Sequence, residues 1–279
     1  MATTAARAGA IPVTPTLLIS IGVLLLIATG VVAFGRYASW RAVLTAGVRA
    51  VAQLLVVSLL ITQIVRVEAL TGLFVFVMFA IAARTSGRRI TADHTWWRAG
   101  LSIAAGVGPV VAVILASGAV PMTGLVLIPL VGQLIGGALT ATSIAGRRLL
   151  DELEQRHGEV EAALSLGLTD TEARLEIARP VASAALSPAL DQTRTVGTVT
   201  LPGAFVGMLL GGATPIQAGA VQLFVLIGLL AVEAIAIQTT LIIVARGHLT
   251  RTVTTTSRPV LWLLHNRRIP KEKPTDDNK

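Results

Sequence analysis

Apolar positions in this chain do not alternate with polar ones. They come in long uninterrupted blocks, and arginine and lysine fall at the joints. Residues Ala99–Gly146 carry no charge over 48 consecutive positions, and between Thr195 and Arg246 the single charge is Glu233. A bilayer-spanning helix needs roughly 20 apolar residues, so each block holds two spans joined by a tight turn. In lipid the backbone N–H and C=O groups must be satisfied within their own segment, so such blocks are helices. The pattern predicts seven spans, at about 15–35, 42–65, 69–83, 99–117, 120–141, 193–211 and 216–245. Turns are expected at Gly118–Pro121 and Gly211–Pro215, where Gly and Pro cluster.

The fold class is therefore all-α, a polytopic membrane protein. Residues 1–14 form an external N-terminus and 15–245 the transmembrane body. Residues 246–279 form a cytoplasmic tail, disordered from Lys271 onward and with a short apolar stretch at Pro259–Leu264 on the membrane surface. Composition agrees: mean hydropathy is +0.76, and 14% of residues are charged, against about 25% in soluble domains. The first apolar run lacks a small-residue cleavage site at its end, so it reads as a span rather than a signal peptide.

Net charge is +8, which would point to nucleic acid if the basic residues formed one patch. Instead they mark sidedness. Nineteen of the 23 lysines and arginines fall on one side of the predicted spans, with Arg7 and Arg66 opposite and Arg49 and Arg194 in or beside spans. The positive-inside rule makes the rich side cytoplasmic, with the N-terminus outside and the C-terminus inside. The chain has no cysteine, which excludes disulfides and thiolate metal sites.

The 147–191 segment is the one sizeable polar piece between spans. It reads as a helix from Arg147 to Leu166, a stop at Gly167, and a second helix through Ile177 into Pro180. Thr169 and Glu172 have the spacing of a capping box for that second helix. A helix–glycine–helix elbow on the cytoplasmic face suits docking to a soluble partner.

The residues Glu161, Ala162 and Ala163, then Gly167, Ile177 and Pro180, resemble the EAA loop of ABC-transporter permeases, with Arg179 standing where that motif has leucine. The resemblance extends from about Val48 to Ile237, to the iron-export ABC permease family of the FetB type. It rests on Gly47–Leu54, Ile128–Gly132, Thr195–Gly203, Gly207 and Gly211–Pro215. It implies a seven-span permease, working as a homodimer with a separate ATPase that binds ATP and magnesium. It also implies that Glu161, Ala162, Ala163, Gly167, Ile177 and Pro180 couple the two. The chain departs from the family at Ala204–Phe205, where a methionine pair is usual, and at Gly137, where asparagine is usual.

The energy source lies outside the body of this chain. A P-loop needs a lysine after its glycines, and the first lysine here is Lys271 in the tail. An intramembrane enzyme finds no support either: H-E-x-x-H and G-x-S-x-G are missing and no histidine lies in a span. A passive channel, a membrane sensor, or a permease for another substrate or for import are the competing readings.

Polar residues inside spans are expected to face one another or a pathway. Arg49 and Glu233 fall at similar depth and are an expected ion pair. Gln53, Gln133, Gln217, Gln222 and Gln238 also lie at membrane depth. Gly203, Gly207 and Gly211, and Gly132 with Gly136, repeat every four residues, as helix-packing faces do. Pro202, just before Gly203, is placed to break the sixth helix and expose carbonyls to a pathway. Glu154, His157 and Glu161 share one helix face, read as solvated rather than as a metal site.

Overall fold

The structure, a computed structural model, describes residues 14–64 and 67–251. Expectations for the N-terminal segment, for Arg66 and for the tail beyond Arg251 lie outside the described residues. The described chain is helical apart from one isolated bridge, Val196 to Thr200. Its helices are α1 (Pro15–Gly35), α2 (Trp40–Ile64), α3 (Glu68–Ile90), a 3-10 turn η1 (His94–Arg98) and α4 (Ala99–Ala116). They continue with α5 (Gly124–Gln155), α6 (His157–Ser165), α7 (Asp170–Thr195), α8 (Gly203–Leu210) and α9 (Pro215–Ala245).

Among the described residues six helices are long and apolar enough to cross a membrane: α1, α2, α3, η1 with α4, α5 and α9. The expected sixth span, 193–211, is not one helix. It is divided between the end of α7, an irregular stretch over 196–202, and the eight residues of α8. At 1.5 Å per residue, α8 covers about 12 Å, well short of a bilayer core. The third span is longer than expected and runs through Arg84, Arg88 and Arg89 to Ile90. The first helix of the 147–191 segment is likewise displaced. Its Arg147–Gln155 half continues α5, and the chain bends at Arg156 before α6 begins.

Two stacked cores hold α3, α4, α5, α7 and α9 together. One joins Ile103, Val107 and Ile114 of α4, Leu130, Leu134 and Ile135 of α5, and Val225, Leu229 and Val232 of α9. The second lies at the arginine-rich pole. There Ile90, Ala141, Ala145 and Leu149 meet Ala178, Ala182 and Ala185 of α7 and Ile237, Leu241 and Val244 of α9. Small residues dominate the α7 face, so its backbone approaches α5 and α9 closely. Glycine does the same elsewhere. A Cβ on Gly106 of α4 would lie 2.6 Å from the Val232 carbonyl oxygen of α9, and one on Gly87 of α3 would lie 2.0 Å from that of Trp96. Ser86 and Ser143 are fully buried and hydrogen-bond across α3 and α5 at 3.0 Å.

The α1–α2 hairpin stands apart. Its two helices pack on each other, and α2 touches α3 lightly. Leu24, Leu26 and Ile27 of α1 and Leu54, Leu55 and Leu59 of α2 are exposed. Between α2, α3 and α5 lies a cleft of about 680 Å³, lined by Gln53, Val56, Phe74, Met78, Pro129 and Gly132.

The arginine-rich pole is braced by hydrogen bonds to backbone carbonyls. Arg251 donates to the Ile90 carbonyl at 3.1 Å and to the Asp151 carboxylate at 2.5 Å, and Arg98 donates to the His248 carbonyl. Arg84 and Arg88 stack over the Trp96 ring. Trp96 and its neighbours thus form an aromatic and basic girdle, as at a membrane–water boundary.

Candidate functional site

The elbow is built by three local devices. Arg156 marks the bend between α5 and α6, and its guanidinium holds Glu152 at 3.2 Å and Glu159 on the next turn. Hydrogen bonds from Arg156 push the Glu159 carboxyl below its ordinary pKa. Helix α6 then ends in a Schellman motif: the Leu168 N–H donates to the Ala163 carbonyl at 3.2 Å, and the Gly167 N–H to that of Leu164 at 3.0 Å. Gly167 has φ of +95°, a left-handed conformation that glycine adopts without a Cβ clash. Helix α7 opens on the expected capping box. The Thr169 hydroxyl accepts from the Glu172 N–H at 3.3 Å, and Glu172 accepts from the Thr169 N–H at 2.9 Å.

The elbow is tied to the body from behind. Val160, Ala173 and Ile177 are buried together, with Leu153, Ala163 and Leu168 around them. Ile177 of the motif is thus an internal contact. Glu161, Ala162, Gly167 and Pro180 are exposed. Glu161 lies 3.4 Å from His157, both solvated. Around the turn, Leu166, Gly167, Leu168, Glu172, Leu175, Glu176 and Arg179 line a surface hollow of about 370 Å³. Leu166 is 83% exposed, an apolar tip rimmed by charges.

Replacing Thr169 with alanine removes one cap bond and is expected to cost about 1 kcal/mol locally. Faster amide exchange over the first turn of α7 checks this. Cap bonds from Thr169 also hold the Glu172 carboxyl below its ordinary pKa. A lowered carboxylate pKa stabilises at pH above the ordinary value and ceases to do so as pH falls through the folded value. The protection factor at the elbow, the intrinsic exchange rate at each pH divided by the observed one, should therefore fall on acidification in the native chain but not in Glu172→Gln.

Inside the helical body the expected polar pair does not form. Arg49 is exposed on α2, whereas Glu233 is 9% exposed on α9, against Leu229 and Gly137. Among the described residues no ion pair joins them. The expectation rested on equal depth, but α2 does not pack beside α9, so equal depth would bring no contact. A Cβ on Gly137 would lie 2.8 Å from the Glu233 carboxylate. Glycine at position 137 therefore makes the room that Glu233 occupies.

The glutamines sort by structure. Gln217 is a cap: Thr214 and Gln217 form a second capping box at the start of α9. The T-x-x-Q before an apolar run was a legible signal for it. Gln53 lines the α2–α3–α5 cleft, and Gln133 and Gln238 are exposed. Gln222 is 3% exposed, and both its amide atoms lack a hydrogen-bond partner. The glycine repeats sort as well. Gly132 accommodates Met78, whose Cε would lie 2.6 Å from a Cβ there. A Cβ on Gly136, Gly203 or Gly207 would meet nothing within 4 Å, and one on Gly211 only its own helix. Within one protomer the packing assignment thus finds a partner at Gly132 alone.

The break at Pro202 is larger than one proline requires. The Thr195 carbonyl accepts from the N–H groups of Thr198, Val199 and Thr200, and the Gly197 N–H donates to Thr200. The chain folds on itself for seven residues before Gly203 opens α8. A pocket of about 320 Å³ lies there, lined by Val196, Gly197, Leu201, Pro202 and Phe205 on one side and Gly219, Gln222, Leu223 and Leu226 of α9 on the other.

Six apolar helices in a hairpin and a glycine-notched bundle define a multi-pass membrane protein. The chain belongs to the family described as "Uncharacterised protein family (UPF0014)", whose model matches residues 15–249. It is similar to Protein ALUMINUM SENSITIVE 3 of Arabidopsis thaliana, at 37% identity over 53% of this chain and 55% of that protein. It is similar to the UPF0014 membrane protein YjkA of Bacillus subtilis, at 30% identity over 68% of this chain and 77% of YjkA. The protein of Escherichia coli named "Probable iron export permease protein FetB" is 30% identical over 67% of this chain and 74% of its own length. The chain spans about half the length of its plant relatives. No solved structure matches it.

Proposed function

We propose that the chain is the membrane-spanning permease subunit of an ABC transporter, exporting iron or another metal with energy from a separate ATPase. The observation that carries this reading is the elbow. A helix stop at Gly167 and a doubly capped restart at Thr169 present Glu161, Ala162 and the Leu166 tip outward, while Ile177 locks the same element into the body. A protein gripping the tip would therefore move α7 and, through it, α5 and α9. The basic residues on that side support a cytoplasmic position by the positive-inside rule, where a nucleotide-driven partner works. The name of the Escherichia coli relative supports iron export.

Such transporters use two permease units. The exposed apolar faces of α1 and α2, and the glycines of α8 that meet no neighbour in one protomer, are surfaces that a second copy would cover.

Co-expression of the tagged full chain with candidate ABC ATPase subunits of the same genome tests the reading. The expected result is a stable complex whose ATPase activity depends on the chain, and Leu166→Asp should cut its yield roughly tenfold, the loss of an apolar anchor from an interface. A chain purified alone under every condition, with no nucleotide-dependent transport in vesicles, would overturn it. Unchanged iron content in cells lacking the chain would remove iron as the cargo and leave the permease assignment standing.

A further inference from the structure

The break between α7 and α8 has features that neither packing nor the coupling role uses. Helix α8 begins without a cap. Pro202 offers no side-chain acceptor, and among the described residues the N–H groups of Gly203, Ala204 and Phe205 find no partner. The same 320 Å³ pocket that Pro202 and Phe205 line is lined on its α9 side by Gln222, buried, with Nε2 and Oε1 both unbonded. An unmade hydrogen bond on a buried amide costs free energy, so a partner that completes the Gln222 amide is favoured. The lining holds no acidic side chain. Uncapped N–H groups carry partial positive charge and favour electronegative ligands. Gln222 is seven residues into α9, about 10 Å from the helix end opposite the arginine-rich pole. Discontinuous helices whose N-termini point at anionic substrate groups are how several transporters hold their cargo inside the bilayer.

We propose that the Val196–Phe205 break and Gln222 form a binding site for an oxyanion group, a carboxylate or phosphate, of the transported solute. The inference rests on the permease reading. The Gln222 Nε2 and the first N–H groups of α8 donate to the oxyanion, and the Gln222 Oε1 accepts from a hydroxyl or a water that travels with it. A metal leaving through this site does so as a chelate with such groups.

The native absence of cysteine makes thiol labelling a clean test on the full chain in membrane vesicles. Val196→Cys places a thiol on the pocket lining, and Val199→Cys, exposed on the same loop but outside the lining, is its control. Leu223→Cys replaces Val196→Cys if the latter does not fold. The probes are a sulfonate-bearing methanethiosulfonate and its trimethylammonium counterpart, each rate normalised to that with a free thiol. The sulfonate is expected to react roughly threefold to fivefold faster than the ammonium at Val196→Cys, the size of a helix-terminus charge effect. No such preference is expected at Val199→Cys. Adding Gln222→Leu should abolish most of the preference. Excess citrate or inorganic phosphate should slow the sulfonate, and whichever slows it more separates a carboxylate cargo from a phosphate one. Equal rates, faster reaction of the ammonium, no reaction with either probe, or no protection by either anion overturns the site. None of these readings needs an ATPase, so failure of the permease assignment and failure of this site are separable.

Discussion

Gly87→Ala is expected to abolish the folded protein. The added methyl carbon would lie 2.0 Å from the Trp96 carbonyl oxygen and 2.7 Å from its carbon, and both atoms are backbone. No rotamer change can relieve such a contact, so α3 and the η1 turn must separate. That separation pulls Trp96 from Arg84 and Arg88 and takes Thr95 from the Thr250 carbonyl, which it reaches at 3.3 Å. The expected loss is about 3 kcal/mol or more, the upper range for overpacking, and a large share of the stability of an ordinary domain. Detergent-solubilised Gly87→Ala should aggregate on size exclusion or melt far below the native chain. Gly72→Ala, on the same helix with nothing within 4 Å of the added carbon, should behave as native. A monodisperse Gly87→Ala with native melting would show that η1 does not cross α3 at this point.

Gly167→Val is expected to leave a folded, inserted chain that no longer transports. A φ of +95° is strained for any residue with a Cβ, and most for a β-branched one. Relief requires the turn to reopen. The Schellman bonds of Leu168 and Gly167 then break, and Leu166 loses its orientation relative to α7. The body keeps both of its cores, because neither contains a residue of 161–172. ATP-dependent transport should fall at least about tenfold, the change in an equilibrium constant that about 1.4 kcal/mol produces, while membrane content and melting stay near native. Gly158→Ala, within α6 with open space around it and no positive φ, should transport normally. Full transport by Gly167→Val would remove the coupling role from the elbow.

Charge-free length made the six spanning helices legible, because a bilayer admits few other structures. The turn of the elbow was legible to the residue, since Gly167 and the Thr169–Glu172 box act through bonds within six positions of chain. Its flanking helices were not, because Arg147–Gln155 continues α5 and α7 runs past Pro180 and Pro188 to Thr195. The features that escaped depend on neighbours. In the 193–211 run Pro202 marked a break, but neither it nor the span-like composition registered that the irregular stretch reaches back to Val196. The break there draws on Gly197, at φ of +81°, and on β-branched Val196, Thr198, Val199 and Thr200 together with Pro202. Arg49 and Glu233 illustrate the same point. Rise per residue fixes depth along a helix, but which helices stand side by side is decided by glycine notches such as Gly106 and by small faces such as Ala178, Ala182 and Ala185. Gln222 was recognised as polar and deep, but its lack of a partner belongs to the tertiary structure.

The two longest helices, α5 with 32 residues and α9 with 31, extend about 48 and 46 Å at 1.5 Å per residue. Each outreaches the roughly 30 Å hydrocarbon layer by half its thickness. Both converge on α7 at one end, and further along Glu233 of α9 lies against Gly137 of α5. A stiff rod of that size magnifies small rotations: pivoting by about 5° sweeps its tip through roughly 4 Å, most of one helical pitch. Under the proposed permease reading, modest leverage at the solvent-facing tip is enough to shift the far ends of both helices, without any helix having to unwind.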